Sequence, residues 1–128
     1  MQQATSPRGE LAIRTLAMPA DANPHGDIFG GWVLGQMDIA GGMAARKRAQ
    51  GRVATVAVDA MSFHLPVFVG DVLCCHTEIA RVGRTSLTVR VEAWATRLET
   101  GEQVRVTEGT FVYVAIDKNR KPRPVPPA

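Results

Sequence analysis

The chain has 128 residues and a formal charge of +3, with 45% hydrophobic and 21% charged residues. This is the length of one domain and the composition of a chain that buries a core, which excludes wholesale disorder. No run approaches the about 18 to 20 uninterrupted apolar residues of a membrane span. Met1 to Arg8 carry no apolar signal region, so the expected location is the cytoplasm.

The charge is unevenly placed. Lys118, Arg120, Lys121 and Arg123 supply four of the 15 basic residues, and without them the balance is 11 against 12. A near-neutral body argues against a broad nucleic-acid face. The basic tail is either solvated or a seat for a small anionic ligand. Two cysteines stand side by side at Cys74-Cys75. Neighbours on a strand point to opposite faces, so two free, buried or half-buried thiols are expected, as in a reducing compartment.

Residues 1 to 9 are polar and expected to be loose, 10 to 117 form the domain, and 118 to 128 the Pro-rich tail. Leu11 to Met18 alternates like a short strand. Ala20 to Asp27 is dense in turn residues and reads as an ordered loop. Ile28 to Gln50 is the one strong helix candidate, with Asp27 as its expected N-cap and Arg46, Lys47, Arg48 and Gly51 as a stop signal. Four strand candidates follow: Val53 to His64, Val72 to Val82, Ser86 to Leu98, and Val104 to Ile116. In the third, Leu87, Val89, Val91, Ala93 and Ala95 fall on one side. Short turns favour antiparallel neighbours among these four. The order implies an α+β domain whose helix covers one sheet face.

The helix is apolar nearly all round. Val33, Met37, Ala40 and Ala44 make one stripe, and Trp32, Ile39 and Met43 another, so most sides should be covered by a wrapped sheet or a partner subunit. Asp38 therefore needs a reason. Its face carries Gly31, Leu34, Gly35, Gly41, Gly42 and Ala45, a surface flattened by glycine. Interior glycine costs about 1 kcal/mol relative to alanine, which suggests that a strand, a partner helix or a ligand approaches closely. Asp38 is either a base or nucleophile lining a narrow slot, or a structural carboxylate satisfied by neighbouring donors.

Other features are weaker. Gly30 and Gly31 fall in the first turn of the helix, where unpaired amides could polarise a carbonyl oxygen. Asn23 and His25 lie just upstream, where a tight Asn-Pro turn is the plainer reading. Gly83-Arg84-Thr85-Ser86 reads first as a hairpin turn, and Arg84 and Ser86 could also hold a phosphate or pantetheine oxygen. No serine sits in a nucleophile motif. No histidine set has metal-ligand spacing, and no phosphate-binding glycine loop is present, so no metal or separate cofactor is expected.

Leu16-Ala17-Met18-Pro19, Asn23, Gly26 to Trp32, and Gln36-Met37-Asp38 together resemble the YciA-type bacterial acyl-CoA thioesterases. Val69 to Val72 with Cys74-Cys75, Val82 to Ser86, and Phe111-Val112-Tyr113-Val114-Ala115 continue the match over about residues 10 to 124. The resemblance implies the hotdog fold, an antiparallel sheet of about five strands wrapped around one long helix. It implies dimers formed by sheet pairing, often trimers of dimers, with sites between subunits. It also implies hydrolysis of acyl-CoA to free acid and CoA, with Asp38 as the catalytic carboxylate and Asn23 facing the aspartate of the other subunit. Gly30 and Gly31 would polarise the thioester carbonyl. Arg84, Thr85, Ser86, Lys121 and Arg123 would lie near CoA. Pro24-His25 departs from the family's usual Ala-Asn after the loop asparagine. A non-catalytic acyl-CoA-binding module and a hydratase using His25 are the competing readings.

Overall fold

The computed structural model describes residues 6–128. The part of the expected loose N-terminus that covers residues 1 to 5 lies outside them. Five strands form one antiparallel sheet: β1 (Glu10–Leu16), β2 (Val53–Phe63), β3 (Val72–Val82), β4 (Ser86–Thr96) and β5 (Gln103–Ala115). One helix, α1 (Gly30–Ala49), runs between β1 and β2. The sheet order is β1-β3-β4-β5-β2, and all pairings are antiparallel. The sheet curls around α1, which touches all five strands.

Period-two alternation builds the concave face. Leu73, Cys75, Leu87, Val89, Val91 and Phe111 are fully buried there. Val33, Met37 and Ala40 meet them from the helix, as the first expected stripe requires. The outer face is polar but not bare. Glu92 is buried, and its carboxylate accepts from Arg90 Nη1 at 2.8 Å, Trp94 Nε1 at 2.9 Å and the Arg8 amide at 3.2 Å. Such donors offset the cost of removing a carboxylate from water. Arg8 also pairs with Glu78, so the described residues before β1 are held against the sheet. The second helical stripe differs from the first: Ile39 is 53% exposed and Met43 52%.

Two local expectations are corrected. β2 pairs with β5 and not with β3. The segment His64 to Asp71 is too long for a tight hairpin, and it crosses the sheet end, where the Val67 carbonyl accepts the Ile28 amide at 2.9 Å. The N-cap is Phe29, with no side-chain cap; Asp27 lies two residues earlier, its backbone paired with Phe68. The left-handed residue ending α1 is Gln50 (φ 56°). Gly51, part of the expected stop signal, follows it and donates its amide to the Arg46 carbonyl at 3.3 Å.

The tail is docked. The Val125 amide donates to the Arg84 carbonyl at 2.8 Å, and Arg48 Nη1 donates to the Pro126 carbonyl at 2.6 Å. The Arg123 guanidinium clasps the end of α1: Nη2 bonds the Ala49 carbonyl at 3.0 Å, and Nε bonds the Ile116 carbonyl at 3.1 Å. Helix ends leave carbonyls without internal partners, and a cation there is doubly favoured.

Candidate active site

Asp38 sits mid-helix, half-buried, between fully buried Met37 and exposed Ile39. It therefore marks the border between the sheet-facing stripe and the open one. Two strand hydroxyls reach its carboxylate. Thr55 Oγ1 donates to Oδ1 at 2.8 Å. Tyr113 Oη lies 3.0 Å from the same Oδ1 and 2.8 Å from the Asp38 backbone carbonyl. Thr55 and Tyr113 face each other across the β2–β5 ladder. Burial, then the Asp38 charge, then the hydrogen bond push the Tyr113 hydroxyl well above the usual phenol range. It therefore stays protonated near neutral pH and serves as a donor.

The glycines around Asp38 divide into two kinds. A Cβ at Gly41 would fall 2.4 Å from Tyr113 Oη, and one at Gly42 would lie 3.6 Å from the same ring. These two admit a strand side chain. A Cβ at Gly31 or Gly35 would meet no atom within 4 Å. These two leave an open strip of backbone running from Asp38 toward the helix start.

That start carries the other expected group. No side chain caps it, and its own hydrogen bonding begins at the Trp32 amide, which bonds the Phe29 carbonyl at 3.0 Å. Gly30 and Gly31 are exposed, and Gly30 lines a cleft of about 330 Å³ with Ile28, Phe63 and Val67. Seven residues separate Gly31 from Asp38, about 10 Å along the axis. One chain therefore does not bring the amides and the carboxylate onto one carbonyl group. Asn23 lies in the loop before α1. Its Oδ1 accepts the His25 amide at 2.9 Å and the Asp27 amide at 3.1 Å, which makes the expected Asx turn.

The remaining predicted residues gather at the far end of α1, roughly 16 Å from Asp38 by helical rise. Arg84, Thr85 and Ser86 form the turn into β4, closed by the Gly83 amide on the Ser86 carbonyl at 2.7 Å. Lys121 is exposed in the docked tail. Arg123 is committed to backbone carbonyls. A larger cleft of about 510 Å³ lies near this end too, between Lys47, Arg48, Glu10 and Glu78. Among the described residues no group of three or more His, Cys, Asp or Glu side chains is placed to hold a metal.

Thr55 went unnoticed in the sequence, and Tyr113 entered only as part of a matching motif. The signal was present: each lies on the inward side of a strand whose neighbours there are apolar, and a buried tyrosine hydroxyl needs a partner.

Comparison with known proteins gives a consistent result. Residues 25–102 match the thioesterase superfamily. The acyl-CoA thioester hydrolase YciA of Salmonella typhimurium is 49% identical over 124 residues, covering 94% of this chain and 93% of that protein. A hexameric thioesterase from Yersinia pestis superposes with a TM-score of 0.92 at 50% identity, covering 95% of this chain and 100% of the other. A hexameric hotdog fold thioesterase of Campylobacter jejuni gives 0.88 at 40% identity, covering 92% and 91%. The sheet wrapped on a single helix is thus the hotdog fold. Among the described residues no helix is long and apolar enough to cross a membrane.

Proposed function

Because the chain belongs to the thioesterase superfamily, we propose that it is a cytoplasmic acyl-CoA thioester hydrolase that releases a free carboxylic acid and CoA. The observation that carries this reading is the Asp38 carboxylate, held by Thr55 and Tyr113 beside an open strip of helix backbone. A thioester carbonyl is electrophilic and a thiolate leaves readily, so a placed carboxylate and a polarised carbonyl suffice. Asp38 either takes a proton from water, which then adds to the carbonyl carbon, or adds directly to form a mixed anhydride that water opens. In both routes the carbon–sulfur bond breaks, water supplies the new oxygen, and the sulfur leaves as CoA thiol. The reading invokes no metal or separate cofactor, since CoA belongs to the substrate.

The reacting group is assembled from two subunits in this reading. Asp38 of one protomer works with the amides of Gly30 and Gly31, and with Asn23, of its partner, since the spacing along one helix is too great. The edge strand β2 supports a homodimer, with exposed Val56, Val58 and Phe63. The hexameric relatives support a trimer of such dimers. Arg84, Thr85, Ser86 and Lys121 are assigned to CoA, with Arg123 bracing the segment that carries them.

A panel of acyl-CoAs from acetyl to palmitoyl, scored by thiol release, tests the reading. The parent protein should hydrolyse part of the panel, and Asp38→Asn should lose at least about 100-fold in kcat as a folded oligomer. No thiol release, or an unimpaired Asp38→Asn protein, would overturn it. Single turnover in oxygen-18 water separates the two routes, because label entering Asp38 itself marks direct attack.

A further inference from the structure

We infer that Thr55 and Tyr113 are the positioning residues that select which oxygen of Asp38 reacts; this rests on the thioesterase reading and deepens it. Both hydroxyls converge on one atom, Oδ1. Among the described residues Oδ2 receives no hydrogen bond. Donors on Oδ1 draw the negative charge there and fix the plane of the carboxylate, and Oδ2 keeps its lone pairs uncommitted. Oδ2 is therefore the atom that takes the proton or attacks the carbonyl.

The tyrosine does more than donate. It carries a single proton and faces two acceptors, Oδ1 and the Asp38 backbone carbonyl. The shared contact ties the side chain to its own main chain and limits its swing. The arrangement exists only because position 41 lacks a Cβ. The cross-strand pairing of Thr55 with Tyr113 gives the two hydroxyls one rigid base, so each limits the other's travel.

Tyr113→Phe and Thr55→Val remove one donor each with little change of shape. A hydrogen bond to a charged group corresponds to about 10- to 100-fold in rate, so kcat should fall by that factor while KM stays within about twofold. Thr55→Ser, which keeps the hydroxyl, should recover most of kcat. Unchanged kcat in both variants would overturn the inference. A readout free of turnover is available because Tyr113 is the single tyrosine of the chain. Its ring doublet in ultraviolet resonance Raman reports hydroxyl hydrogen bonding, and it should shift from a strong donor in the parent to a weaker one in Asp38→Asn. If that shift occurs and the parent releases no thiol, the thioesterase reading fails and the positioning stands. If the doublet does not respond, the positioning fails whatever the activity.

Discussion

Glycine has opposite meanings at two positions on α1. Gly41 makes room for a buried phenol, so Gly41→Ala forces Tyr113 to move. Overpacking of this kind should cost about 1–3 kcal/mol against a helix-propensity gain of about 1, giving a net loss in urea unfolding. Gly35 has open space where its Cβ would be. Gly35→Ala should stabilise the fold by about 0.5–1 kcal/mol and lower thiol release, because the added methyl intrudes on the strip beside Asp38. Cys75 makes a third case. Burial, with a smaller push from Cys74, raises its thiol from 9.0 to about 12. The unfolded chain releases that proton first, so the stabilisation is complete below about pH 9 and drains away toward pH 12. At about pH 10.5 the loss amounts to roughly 2 kcal/mol. Urea midpoints taken at neutral pH and at about pH 10.5 should fall less in Cys75→Ala than in the parent.

At the scale of elements, the ends of α1 are held by unexpected means. Arg123 occupies the carbonyls of Ala49 and Ile116. Arg123→Ala should cost about 1–3 kcal/mol of unfolding free energy. If the arginine only braces the tail, KM for acyl-CoA should move less than it does in Arg84→Ala. Much of the fold was legible before the structure, because alternation at Leu87, Val89 and Val91 and the glycine-punctuated apolar helix are local signals. The pairing of β2 with β5 was not local. It depends on His64 to Asp71 passing around the sheet end, which no periodicity encodes. The N-cap was missed because the helix starts later than expected: Asp27 lies two residues ahead of Phe29, in backbone pairing with Phe68, distant in sequence.

For the whole molecule, the decisive feature is what a single chain leaves open. Val58 lies across the ladder from fully buried Phe111 and is itself 44% exposed. Ile39 and Met43 are uncovered on the nearby helix face. A charge placed in this border, as in Val58→Lys, should yield monomers in light scattering and abolish thiol release together, since Asp38 and the Gly30-Gly31 amides would lose their opposite numbers. Asp38 stood out in the sequence because a carboxylate on an apolar, glycine-lined helix demands a reason, whether catalytic or structural. The assembly around it was expected from the family resemblance alone, because Asp38 and the helix-start amides stand about 10 Å apart on one helix and no local pattern encodes a partner.

The fit of the phenol into the space at position 41 also fixes the order in which this site can change. With the hydroxyl present, a methyl at 41 meets oxygen at 2.4 Å, while the ring carbons behind it stand at 3.1 and 3.2 Å. Loss of the hydroxyl is thus the permissive step, and gain of the methyl the dependent one. A double-mutant cycle should accordingly show Gly41→Ala costing less in the Tyr113→Phe background. Either order passes through a slower enzyme, but filling the helix first adds a packing defect, so this pair is a point of epistasis in the fold.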